Sequence, residues 1–155
     1  MKKALFVIIA LVITLAVHAQ TSKDEYKAMI DSAINIKYNQ YKQATKNQTN
    51  TYYLENLYLL NEQNLPLDYL PSSSKFKAMS VYDDRNRKVL SNGIYAWKVL
   101  TALNTNKLKI TIIDFYITYK KHNYSFRNGG GSEAVFEYDC GKGIWKLVSF
   151  ETKGN

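Results

Sequence analysis

The sequence predicts an α+β domain: an N-terminal amphipathic helix packed on a curved, mostly antiparallel sheet of about five to six strands. Three observations lead there. A helix-period stripe runs over Thr21–Ala44, strand-like segments separated by turn residues follow from Phe76 onward, and Lys107–Lys121 is too long to lie straight. At about 3.3 Å per residue its fifteen residues extend about 50 Å, whereas a domain of this length is only about 30–40 Å across.

The helix is read from Tyr26, Ile30, Ala33, Ile34, Tyr41 and Ala44, which recur at three- and four-residue spacing. Ser22-Lys23-Asp24-Glu25 has the pattern of a capping box, and Asp24 and Glu25 suit the positive end of the helix dipole. Lys37 falls inside the apolar stripe. Its methylenes are expected to lie on the sheet with the ammonium reaching water; a functional buried lysine is the alternative.

Thr51–Leu60 fits either a strand or a helical turn, and a strand is favoured at Thr51–Leu54. Asn64–Pro71 is a turn-rich connection, because each proline pushes its predecessor out of helical geometry; its leucines should still be drawn to the core. Ser72–Ser74 is a short polar loop. Phe76–Tyr82 alternates as a strand, Asp83–Asn86 turns the chain, and Arg87–Asn92 reads as a short helix closed by Gly93. Ile94–Leu103 is the next strand, with Tyr95, Trp97, Val99, Thr101 and Leu103 on one face.

The long segment, KLKITIIDFYITYKK, has strand composition with no Gly or Pro. Leu108, Ile110 and Ile112 share one face; Ile113, Phe115, Ile117 and Tyr119 share the other. The apolar side therefore changes at Asp114. One extra residue in this strand would restore a single face, so a bulge or sharp bend is expected within about two residues of Asp114. A strand buried on both faces would give a similar pattern. Beyond it, Asn128–Ser132 reads as a flexible glycine loop, Ala134–Cys140 and Ile144–Phe150 as a hairpin across Gly141-Lys142-Gly143, and the last five residues as frayed.

The helix-then-sheet layout is similar to that of the cystatin-like and nuclear-transport-factor-like folds. The tail pattern, a Gly-rich loop, Phe136-Glu137-Tyr138-Asp139-Cys140, a glycine turn and Trp145-Lys146-Leu147, resembles small exported bacterial domains of unknown function. That resemblance covers roughly the last sixty residues and carries no catalytic motif. It implies fold kinship and no particular activity.

The first nineteen residues read as an export signal: Lys2 and Lys3, an apolar run over Ala4–Ala16, then Val17-His18-Ala19 with small residues at the cleavage positions. The apolar run is short for a membrane span, and no Cys follows it as a lipoprotein attachment site. The expectation is a single domain over 20–155, secreted or periplasmic, with no transmembrane segment in the mature chain. Cleavage would remove Lys2 and Lys3 and lower the net charge from +8 to +6. The remaining Lys and Arg are scattered, so nucleic acid is not the expected partner; the thirteen Tyr and the frequent Asn, Lys and Ile also fit an AT-rich genome.

Catalytic chemistry has few carriers. His122 is the one histidine outside the signal and is placed at a turn. Cys140 shares a face with Phe136 and Tyr138 and is expected to be buried and inert. No spacing suggests a metal or cofactor, and Asp83-Asp84 lacks the further ligands of a calcium loop. The glycine run lacks the following helix and Lys-Ser/Thr of a phosphate loop. Glu137 and Asp139 could meet Asp114 and share a proton, or pair with Lys146 or Lys120 across the sheet.

The leading functional expectation is a non-catalytic binding module for a protein, peptide or glycan, through Tyr95, Trp97, Tyr116, Tyr119 and Trp145, with Asp114 and Arg127 as polar contacts. Two others stand beside it: a small hydrolase or isomerase with Asp114 as base, and electrostatic attachment to an anionic envelope polymer. A pocket of about 300 Å³ or more containing Asp114 and another polar group would favour the enzyme; a flat aromatic patch would favour binding.

Overall fold

The computed structural model describes residues 24–46, 52–68 and 76–154. The expected export signal, the expected cap at Ser22, residues 47–51 and the expected serine loop lie outside them. The chain divides into two compact units, Met1–Ser32 and Ala33–Asn155. Residues 24–44 are helical (α1). In the first unit Met29 and Ile30 are buried; in the second, Ala33, Ile34 and Lys37 are buried and Ala44 is exposed.

The second unit carries a curled six-stranded sheet in the order β2-β1-β3-β4-β5-β6. The strands are β1 (Leu57–Leu60), β2 (Phe76–Lys77), β3 (Ile94–Asn104), β4 (Lys107–Lys120), β5 (Asn123–Asp139) and β6 (Ile144–Lys153). β3 to β6 pair antiparallel, but β1 runs parallel to both β2 and β3. The sheet is thus mixed, not mostly antiparallel. Parallel neighbours need a connection that carries the chain back to the same end. Here the segment between β1 and β3 does so, ending in α3 (Arg87–Asn92).

Several local expectations are corrected in that same region. Tyr52–Glu55 is a short helical turn (α2), and the strand follows it at Leu57–Leu60. The strand expected over Phe76–Tyr82 ends at Lys77. Met79 and Val81 are buried without it, and the Val81 N–H donates to Asn64 O at 3.1 Å. Leu65 stays exposed. α3 closes as expected: Gly93 takes φ +83° and its N–H donates to Leu90 O.

β4 is covered on both faces. Leu108, Ile110 and Ile112 are buried on the side of their cross-strand neighbours Val99, Ala134 and Phe136. Ile117 is buried on the other side with Leu60, Met79, Val81, Leu90, Ile94 and Ala96, and Phe115 and Tyr119 pack against that cluster. The change of apolar side at Asp114 therefore marks where cover passes from one face to the other. A register shift does occur between Ile113 and Phe115, but not as expected. Pairing moves from Ile113↔Gly131 to Phe115↔Asn128, so the extra residue sits in β5, and β4 keeps unbroken alternation against β3.

The glycine run is therefore the bulge of a seventeen-residue strand, not a hairpin loop. Gly130 takes φ +103°, and a Cβ on Gly131 would lie 2.6 Å from the Ile112 carbonyl oxygen. Two-residue reversal between β4 and β5 falls to Lys121 and His122, at φ +50° and +63°. Glu151–Lys153 belong to β6 and are not frayed. Cys140 begins the turn after β5 and is exposed, not buried.

Gly131→Ala is expected to lower stability by about 1–3 kcal/mol, because the methyl meets backbone on β4 that cannot step aside. Gly129→Ala, whose methyl would find Asp114 Cβ at an ordinary 3.6 Å, is the control. Equal denaturation midpoints for the two variants would contradict the tight approach at Gly131.

Candidate functional site

Register alone assembles most of the site. β3 sends Tyr95 and Trp97 to the same face. Antiparallel pairing sets Tyr116 opposite Tyr95 and Asp114 opposite Trp97, and Arg127 opposite Tyr116. Side chains directly opposite on one face are neighbours. Together with Tyr41, Leu57, Asn128 and Gly129 they line an open pocket of about 610 Å³.

Tyr95 and Tyr116 form one wall, their rings 5.0 Å apart. Tyr116 is held from behind. Its hydroxyl donates to Asn92 O at 3.3 Å, and its ring end occupies the space a side chain on Gly93 would need. The guanidinium of Arg127, itself exposed, lies 5.7 Å from the Tyr116 ring centre. Tyr95 is 44% exposed.

The floor is polar and occupied. Lys37 is 1% exposed, and its Nζ lies 3.0 Å from Asp114 Oδ1. The same ammonium donates to Oδ2 at 3.1 Å, and the Tyr41 hydroxyl donates to Oδ2 at 2.6 Å. Asp114 keeps 14% of its side chain accessible. The ammonium is also 5.0 Å from the Tyr41 ring and 5.1 Å from the Trp97 ring. Tyr41 meets Trp97 edge-on at 5.9 Å. Burial holds the Lys37 pKa below the usual lysine value, and the Asp114 charge and hydrogen bond pull it part of the way back. Lys37 thus does not reach water as expected; with Asp114 at hand, burial with a partner replaces snorkelling.

Two of the seven residues singled out lie elsewhere. Tyr119 faces the opposite core, 4.7 Å from Tyr124, because it is an odd-numbered neighbour of Phe115 and Ile117 on β4. Trp145 sits on β6 against Tyr138, ring centres 5.3 Å apart. No carboxylate dyad forms at Asp114 from β5. Glu137 and Asp139 fall on the face opposite to it and pair with Lys107 at 3.7 Å and Lys146 at 2.6 Å. The hydrogen bond from Lys146 is the main reason the Asp139 pKa is lowered.

Lys37, Tyr41, Leu57, Asn128 and Gly129 were not anticipated at the site. A signal existed for two of them. A lysine inside an apolar stripe, one helical turn from a tyrosine, matches a lone aspartate in an apolar strand, since each buried charge needs the other. Nothing marked Asn128 and Gly129 except the glycine run that proved to be a bulge.

Lys37→Met leaves the Asp114 carboxylate with Tyr41, and Asp114→Leu leaves a buried ammonium; each is expected to lower stability by about 3–5 kcal/mol. The double variant should recover much of that loss, whereas losses that simply add would show that the charges do not act as a pair. The sign of the pH effect follows from the lowered Lys37 pKa. The unfolded chain binds the proton more tightly, so this group weakens the fold below its folded pKa and the penalty fades as pH rises toward 10.5. Stability of the natural chain relative to Lys37→Met should therefore rise across that alkaline window, read as the difference between their melting temperatures at successive pH values.

The chain matches no family model, no curated protein and no solved structure.

Proposed function

We propose that the protein is a non-catalytic binding module, working outside the cytoplasm, that seats a peptide or glycan segment in the aromatic pocket. In this reading the part of α1 from Ala33 onward lays its apolar residues on the sheet, and Tyr41 completes the pocket from that side. The observation that carries the reading is the convergence of Tyr95, Trp97, Asp114, Tyr116 and Arg127 on one open pocket of about 610 Å³. Aromatic walls with a few fixed polar groups are the usual make-up of a small-ligand site. The composition of residues 1–19 supports the location.

The size of the pocket, and the presence in it of Asp114 with other polar groups, favours a second reading, a small hydrolase or isomerase with Asp114 as base. The geometry weighs against it. A general base needs a lone pair that can reach the proton it takes, and here Oδ2 receives both Lys37 and Tyr41 while Oδ1, 3.0 Å from the ammonium, is buried away from solvent. Electrostatic attachment to an anionic polymer has less to rest on, since several surface lysines are already paired with Glu133, Glu137 and Asp139.

An array of peptides and oligosaccharides, followed by calorimetry on the hits, tests the binding reading. Tyr95→Ala should weaken any genuine ligand about tenfold, equivalent to about 1.4 kcal/mol, with the melting temperature nearly unchanged. Hits indifferent to Tyr95→Ala, or turnover of a hit that Asp114→Asn abolishes, would remove it.

A further inference from the structure

We propose that the pocket selects ligands carrying a carboxylate on a flat, partly apolar body. This deepens the binding reading and rests on it. An aromatic box with a carboxylate at its base has the composition of a cation receptor, but the chain's own cations already fill that role. The Lys37 ammonium lies against Trp97 and Tyr41 and neutralises Asp114 at 3.0 Å. Arg127 lies over Tyr116.

With the floor pair cancelled, Arg127 is the uncompensated charge among the lining residues. No ion pair joins it to a carboxylate among the described residues. A cationic ligand would approach two fixed positive groups and find its carboxylate partner taken. A carboxylate would meet a planar guanidinium able to bind it through two parallel hydrogen bonds. Tyr95, exposed and set against Tyr116, offers the flat surface for the rest of the molecule. Arg127 is also placed by pairing rather than by a loose loop: it sits opposite Tyr116, one residue before Asn128, where the β5 bulge begins.

A sugar acid and an aromatic acid share this chemistry, and two matched pairs separate them. Trigalacturonate is compared with its methyl ester, and 4-hydroxyphenylacetate with its amide, by calorimetry on the full chain. The acid of at least one pair is expected to bind at least tenfold tighter than its neutral counterpart, and Arg127→Gln should erase that preference without shifting the melting temperature. Preference within the first pair identifies a sugar acid, and within the second an aromatic acid. Neutral forms that bind as tightly as the acids, or a preference that survives Arg127→Gln, overturn the selectivity while leaving the pocket a binding site. Failure of all four probes also overturns it, and the array screen then decides the binding reading separately.

Discussion

The buried contact between Lys37 and Asp114 is the constraint around which the site is arranged. An ammonium with almost no access to water is tolerable only beside an opposite charge with good geometry, and Asp114 supplies it from the middle of β4. The pair joins a residue of α1 to the middle of β4. It also turns the Tyr41 hydroxyl inward, onto Oδ2. Because both charges are spent on each other, the floor of the pocket is polar without being strongly charged, and recognition falls to the rim.

Asp114 lies where it does because β4 changes sides. Up to Ile112 its even-numbered residues are covered; from Phe115 onward the odd-numbered ones are. Asp114 is the first even-numbered residue past the change, so its face is no longer roofed by the same apolar cover. The β5 bulge falls at this place, opposite Asp114, and admits the Asn128–Gly129 backbone to the pocket wall. A bulge next to a site re-aims the side chains around it, and the one re-aimed here brings Arg127 over Tyr116.

Much of the fold was legible in the residues. Alternation marked β3, β4 and β6, and Gly93 marked the end of α3. The grouping of Tyr95 with Trp97, and of Asp114 with Tyr116, followed from a period of two. Errors gathered where two forces of similar size compete. At 52–60 the tyrosines and leucines suit a helix or a strand equally, and neighbours chose helix for four residues and strand for the next four. The glycine run looked like a loop because glycine is rare inside strands. It was kept in β5 because the Ile112 carbonyl comes too close for any side chain at Gly131.

By itself the sequence determined the periodicities: which residues of β3 and of β4 alternate between faces, and that a lone aspartate and a lone lysine sat in apolar surroundings. Tertiary structure decided which faces meet. Whether β1 runs parallel or antiparallel, which strand carries the extra residue, and whether Lys37 finds Asp114 or water all depend on contacts between residues far apart in the chain. Local pattern sets the side a residue points to, but only packing sets what stands there to receive it.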